Sequence, residues 1–499
     1  MANGAGLTSS VDALVDRWRD AARRDWLFLV TLSVGFCLRV VAQIAYRPAL
    51  LYIDSFRYLK DLNFDPTKSE PVGYPVIVLR PLLFLFGNLA SVAALQHLLG
   101  LAMGVAIYVL LRRRGAWPWL AAVATMPVLL NAYQIQIEQN VLAEALFEAL
   151  LVAGIVALLW NPQPRLPALV ASGILLGVAV TVRTIGLPVI VPAAAYAAIA
   201  GPSGRGRAVR GAIVAAAFVL PVAVYVGYYH HWSHRVGLTT ADAAVLTGRA
   251  EVIVDCHGLS LPSYERVLCP SDASGPRLGT DEYAHNGDTP ISHLVVPPGM
   301  TRAQVLRDFA VRVFEHQPFD LTRVVFDDFA KNFALSPTTS HGDRPVSRWQ
   351  FQRSYPSFPG MNAAETLAEH GGGGPSVFHP LTTFLRDYQL TVGFVPGPVL
   401  AAILVLGLAG GVGLGRARHS GLRAACLLPT VTGLLLLLAA DFFEFSWRYQ
   451  LPALAVAPIG AALAVVALTQ PEPRPRAVPE GATDAARTGS SVSTPVGAH

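Results

Sequence analysis

Ala49 to Tyr74 reads ALLYIDSFRYLKDLNFDPTKSEPVGY, a polar stretch caught between strongly apolar runs. Its first acid, Asp54, stands one residue past an apolar segment. Arg57, Lys60, Asp61 and Asp65 follow, then the turn Pro71-Val72-Gly73-Tyr74-Pro75. Charge placed where a chain leaves lipid is costly and is kept where it pairs or does chemistry. The stretch therefore reads as a loop at a membrane surface, with the flanking apolar runs as the helices that hold it there.

Composition agrees. The 499 residues are 53% hydrophobic and 14% charged, with a mean hydropathy of +0.45, against about 25% charged residues in a soluble domain. The apolar runs are many and far apart, which implies helices rather than a barrel. The expected fold is thus an all-α polytopic membrane protein of about ten transmembrane helices. The net charge of +5 does not argue for nucleic acid, because Lys and Arg in such chains chiefly set orientation. High Ala, Arg, Gly, Pro and Val with little Lys suits a GC-rich bacterial genome.

The spans are expected at 27–46, 91–111, 116–132, 141–160, 166–182, 187–200, 211–229, 391–414, 424–440 and 451–468. The first carries no small-residue cleavage site after it and reads as a signal anchor. The run 76–88, VIVLRPLLFLFGN, is shorter than the roughly 20 residues a span needs and is broken by Arg80-Pro81, so it reads as interfacial or re-entrant. The clusters Arg112 to Arg114, Arg205-Arg207-Arg210 and Arg416-Arg418-Arg423 all fall on one side, the cytoplasmic one. Both termini are then cytoplasmic, in a multi-pass protein of the cell membrane.

This parity divides the chain into five parts. Residues 1–25 form a cytoplasmic N-terminus. Residues 26–229 form a transmembrane catalytic core with an outer loop at 47–90. Residues 230–390, between spans 7 and 8, form an extracytoplasmic α-rich or mixed domain, residues 391–469 the C-terminal helices, and residues 470–499 a disordered cytoplasmic tail. Within 230–390, apolar positions at helical spacing predict two amphipathic helices, 302–316 and 320–334, split at Gln317-Pro318. Residues 342–380 have loop composition, and 131–140 reads as an outer turn. Cys256 and Cys269 share one polar segment, where a disulfide is expected if that segment is extracytoplasmic. Cys37 and Cys426 sit in apolar runs and read as inert packing residues.

The topology gathers acids and arginines at the outer face: Asp54 and Arg57, Glu138 and Glu144, Arg183, then Glu444, Arg448 and Tyr449. Arginine holds phosphate through paired hydrogen bonds and keeps its charge, and a carboxylate accepts a proton from an attacking hydroxyl. Such a set suits transfer from a lipid-phosphate donor to a hydroxyl acceptor. Each residue also has a plainer reading. Asp54 can be an ordinary loop acid, Arg183 and Arg448 headgroup anchors, and His97 a satisfied buried group. Glu144 and Glu148 share a helix face and can pair with Arg39 or Arg80 inside the bundle. His230, His231 and His234 lack a fourth metal partner, and no phosphate loop or serine elbow is present.

Five strings carry a family resemblance: Tyr52-Ile-Asp54-Ser-Phe-Arg-Tyr58, Glu70-Pro-Val-Gly-Tyr-Pro75, Leu142-Ala-Glu144-Ala-Leu-Phe147, Val182-Arg183-Thr-Ile-Gly186 and Trp447-Arg448-Tyr449-Gln-Leu-Pro452. In order and sidedness they resemble the GT-C class of membrane glycosyltransferases. The likeness is to the polyprenyl-phosphate-sugar-dependent members related to protein mannosyltransferases and lipid A aminoarabinose transferases. The resemblance implies Asp54 as the base that activates the acceptor, and Glu144, with Glu138 as its rival, as the second acidic site. It implies Arg183 and Arg448-Tyr449 as holders of the lipid-linked phosphate, and Arg57, Tyr74 and His97 are grouped with them as substrate-binding candidates. Where many relatives carry an acid doublet, Ser55 follows Asp54, so metal dependence and acceptor type stay open. No metal site or cofactor is indicated, and a divalent cation is compatible. The expected partners are a polyprenyl-phosphate-linked sugar, an envelope glycan, lipid or protein acceptor, and the bilayer. The alternatives are a transporter or flippase of lipid-linked sugars, and an inactive envelope-assembly scaffold.

Overall fold

A computed structural model describes residues 23–60, 65–66, 70–201, 204–239, 242–270 and 277–469. Most of the expected cytoplasmic N-terminus, the loop acid Asp61 and the expected disordered tail 470–499 lie outside the described residues.

The bundle is built from α1 (Trp26–Ala45), α4 (Leu89–Arg113), α5 (Pro118–Leu129), α6 (Ala132–Gln139), α7 (Glu144–Leu159), α8 (Leu166–Val182), α9 (Ile190–Ile199), α10 (Arg205–Ser233), α17 (Gly397–Val412), α18 (Arg423–Phe443) and α19 (Leu451–Thr469). Between the first two lie α2 (Ile53–Lys60) and α3 (Arg80–Phe86). Among the described residues, five helices are long and apolar enough to cross a membrane, or six if the bent pair α5 and α6 forms one span. Apolar helices at Leu166–Val182, Thr184–Ile199 and Gly397–Val412 occupy further expected span positions but are shorter. The protein is therefore membrane-embedded and helical, with five or six crossings supported by length and composition where about ten were expected.

Sequence chemistry sets the helix ends. Asn88 opens α4 by accepting from the Ala90 amide at 2.8 Å, which satisfies a donor the helix itself cannot. Gly115, at φ +90°, closes the turn after it in a conformation that favours glycine. The centre of the bundle is α19, whose span is 89% buried. Its small residues permit this: a Cβ at Gly460 would collide with Thr430 and with the Cys426 carbonyl on α18. In contrast α3 buries none of its residues and leaves Phe84 87% exposed, so this short apolar helix lies on the surface of the fold.

The expected turn at 131–140 is corrected by the structure. Asn131 caps a new helix, α6, in which every residue is buried. Its polar side chains find partners inside the bundle, which is what makes a buried polar helix tolerable.

The polar region holds α11 (Asp242–Ile253), α12 (Thr280–His285), α13 (Arg302–His316), α14 (Pro318–Lys331), α15 (Ala363–Glu369) and α16 (His379–Thr391). The first pair of predicted amphipathic helices is found as α13 and α14, parted at Gln317-Pro318. A capping box between Thr301 and Gln304 opens α13. Val305, Leu306, Phe309, Ala310 and Val313 then face a core shared with Ala250 of α11 and Val254 just after it. Cys256 and Cys269 are disulfide-bonded. Arg249 anchors this region to the bundle: its Nη2 donates to the Asp441 carbonyl at 2.9 Å and its Nε to the Phe443 carbonyl at 2.9 Å. These are carbonyls at the end of α18 that the helix leaves unpaired. A second tether is the antiparallel pairing of β1 (Tyr46–Arg47) with β2 (Ser376–Val377).

Candidate active site

The helices have two chemically different ends. At one end Arg113 donates to the Trp160 carbonyl and Arg423 to the Val412 carbonyl. At the other, the side chains of five separate segments converge.

Asp54 sits in the first turn of α2, where a negative charge meets the positive end of the helix. Its Oδ2 accepts from Arg448 Nη1 at 2.8 Å, although 394 residues separate the two. Arg57 Nη1, one turn on, lies 3.7 Å from Asp54 Oδ1 and 3.4 Å from Glu70 Oε1. Arg183 stands where α8 ends, its backbone extended at φ −146°, and donates to Glu144 Oε1 at 2.6 Å. Arg448 Nη1 lies 3.4 Å from the same oxygen. Glu144 thus sits between two guanidiniums that would otherwise repel. Arg448 Nη2 donates to the Tyr449 hydroxyl at 3.2 Å, which donates to Glu444 Oε1 at 3.0 Å.

Aromatic rings hold the Arg448 guanidinium from its faces. Its centre lies 4.6 Å from the Trp349 ring, 5.0 Å from Tyr449 and 5.4 Å from Tyr52. The ring quadrupole attracts the cation and fixes its plane. Around these groups is a cavity of about 630 Å3 lined by Asp54, Arg57, Glu70, Arg183, Glu444, Arg448 and Tyr449 among others. Ile185, Leu187, Pro188, Leu238 and Phe443 make part of its wall apolar. Trp349 Nε1, Ser446 Oγ and Arg448 Nε are buried without a hydrogen-bond partner.

Electrostatics separates the carboxyls. Burial pushes Asp54 up, but the guanidiniums of Arg448 and Arg57 outweigh it and hold the group below its ordinary 3.8. It stays ionised at neutral pH. Glu70 and Glu444 are raised, by burial first; for Glu70 the Asp54 charge adds to that rise, while for Glu444 Arg448 opposes it. Three guanidiniums therefore meet at this cavity, with Arg448 paired to Asp54 and Arg183 to Glu144, and such planar forks are suited to grip an oxyanion. His285 of α12 also lines the cavity, and burial together with the Arg57 charge lowers it from 6.5.

Three of the expected site residues lie elsewhere. Glu138, the rival to Glu144, is fully buried and takes both oxygens to Arg39, at 2.8 Å each. Arg39 also donates to the Leu129 carbonyl at 2.8 Å and the Val128 carbonyl at 3.0 Å. His97 contacts Glu138 Oε2 at 2.9 Å and Gln139 Oε1 at 2.8 Å. Tyr74, also fully buried, donates to Gln96 Oε1 at 2.6 Å. None of these lines the cavity. Glu148 accepts from Gln134 at 2.7 Å, and Arg39 gives its ion pair to Glu138 rather than to Glu144 or Glu148. Trp349, His285, Asp281 and Arg344, which do line the cavity, belong to the polar region, where no motif marks them in the sequence. Among the described residues no group of three or more His, Cys, Asp or Glu side chains is placed to hold a metal ion.

No family model matches the chain, and no curated protein matches it. Among solved structures it is similar to the oligosaccharyltransferase of Archaeoglobus fulgidus in its apo form, at 13% identity and a TM-score of 0.43. The match covers 90% of this chain and 51% of that one. The chain thus spans about half the length of that protein.

Proposed function

We propose that this protein is an integral-membrane glycosyltransferase of GT-C type, moving a sugar from a polyprenyl-phosphate donor to a cell-envelope acceptor on the extracytoplasmic face. The observation that carries this reading is the meeting of Asp54 with Arg448 and Arg183 in one cavity with an apolar flank. The acceptor oxygen attacks the anomeric carbon from the side opposite the phosphate, with inversion. The carbon–oxygen bond to the phosphate breaks, and the electron pair leaves with the polyprenyl phosphate. Arg183 and Arg448 stabilise that charge as it grows. The acceptor proton goes to Asp54. A carboxylate held below its usual pKa serves here, because the hydroxyl becomes strongly acidic as its oxygen bonds to carbon. Glu144 is a positioning residue that keeps both guanidiniums in place. The apolar flank suits the first isoprene units of the donor.

The test is incubation of purified protein with a panel of polyprenyl-phosphate sugars, with mass detection of released polyprenyl phosphate. Release by the native protein and its loss in Asp54→Asn is the expected result. Full release by Asp54→Asn removes the mechanism.

A further inference from the structure

A second cavity, of about 410 Å3, lies beside the first, in the polar region. The two share a wall, because Asp281, Arg344 and Glu444 line both. Their chemistry differs. The second is walled mainly by charged side chains, among them Arg249, Arg277, Asp327, Asp328, Lys331 and Asp343. Val252, Leu278, Val324 and Phe445 add apolar surface between these charges, which suits the C–H faces of a sugar ring.

Its cations are already engaged. Lys331 Nζ donates to Asp328 Oδ1 at 2.8 Å and to Asp343 Oδ1 at 2.7 Å. Arg249 donates to Asp328 Oδ2 at 2.6 Å. Arg277 donates to the carbonyls of Glu251 and Val254, at 2.9 Å each. Arg344 pairs with Asp281. With every such cation spoken for, the cavity offers an anion little. Asp343 differs: its side chain is 9% exposed and its Oδ2 is buried with no hydrogen-bond partner. A buried acceptor without a donor is costly, and a hydroxyl is the donor that relieves it without adding charge.

We propose that this second cavity binds a neutral sugar of a glycan acceptor and delivers its hydroxyl across the shared wall toward Asp54. The proposal rests on the transferase reading above and names its acceptor class. A sugar hydroxyl can donate to the open Asp343 Oδ2 without bringing charge, while ring carbons meet the apolar part of the same wall. From that wall a short relay reaches the base: Glu444 accepts from Tyr449, Tyr449 from Arg448, and Arg448 holds Asp54.

The experiment uses the full chain in nanodiscs. Saturation-transfer NMR follows methyl glycosides of neutral hexoses and pentoses, beside a serine-containing peptide and a medium-chain alcohol. The glycosides are expected to bind. Asp343→Asn should weaken that binding about tenfold, the worth of one hydrogen bond to a charged group. Asp327→Asn, on the same wall, serves as a second variant should Asp343→Asn fold poorly. Donor cleavage to water, assayed separately, should stay within about twofold in both. Glycoside binding unchanged by both variants, or binding of the peptide or alcohol instead, overturns the proposal. Glycoside binding that is sensitive to Asp343, in a protein that cleaves no donor, overturns the transferase reading and leaves the sugar site standing.

Discussion

Two arginine–carboxylate assemblies sit in this bundle, and they are built alike but finished differently. In the first, Arg39 and Glu138 form a two-pronged pair, His97, Gln134 and three helix carbonyls take the remaining bonds, and both ions are at most 2% exposed. Gly100 makes room for it, since a Cβ there would lie 2.7 Å from Arg39 Nη2. In the second, Asp54, Arg448, Glu144 and Arg183 are joined by single prongs, line or adjoin a cavity, and leave Arg448 Nε without a partner. A closed network has no capacity left for a ligand. An open one keeps charge and donors in reserve. The lesson is that ionisable residues inside a membrane protein divide by satisfaction, not by type.

That contrast can be broken at several points. The largest effect belongs to Asp54→Asn, which should cut transfer by about 10²–10⁴-fold while lowering stability by no more than its pairing with Arg448 contributes. Normal turnover would make the second assembly as structural as the first. Next comes Arg39→Met, which strands Glu138 without its cation. It should lower unfolding stability by about 3–5 kcal/mol, while folded molecules bind donor normally. A variant as stable as the native protein, read from denaturant unfolding in detergent, would undo the assignment of that pair to structure.

Smaller effects sharpen the picture. Arg183→Lys keeps the charge but loses the planar fork, and kcat should fall about 10²-fold with stability little changed. The pH profile adds a signed test. Because the folded Asp54 pKa is depressed, its ionised state and the stability it contributes are present above 3.8 and lost as pH falls through the lower folded value. In Arg448→Gln burial dominates, the Asp54 pKa rises, and the acid limb of activity should move to higher pH. An acid limb that stays in place would mean that Asp54 does not govern it. Least of all, Tyr74→Phe removes only the hydroxyl that Gln96 accepts, about 1 kcal/mol of stability, and should leave the donor KM alone.

Much of this was legible in the sequence. Asp54 and Arg57 stood out because a polar run interrupts lipid-length apolar ones, and Arg183 and Arg448 because they close or open such runs. The amphipathic pair α13 and α14 followed from 3.6-residue spacing and a proline. The buried helix α6 did not. Asn131 to Asn140 has the composition of a surface turn, and its burial becomes tolerable through partners brought in from other elements, among them Arg39, Gln96, His97 and Glu148. Trp349, His285, Asp281 and Arg344 were hidden for a related reason, since they reach the cavity from a region without periodic signal.

The chain by itself determined that it enters a membrane and where its long apolar helices lie, because apolar length is a local property. The tertiary structure decided which acid keeps company with which arginine. Glu138 and Glu144 are six residues apart and chemically identical, yet one is sealed against Arg39 and the other joins the arginines beside the cavity. That choice depends on pairings across 99 and 39 residues, and burial and pairing, which set what a carboxylate can do, exist only once those distant segments have met.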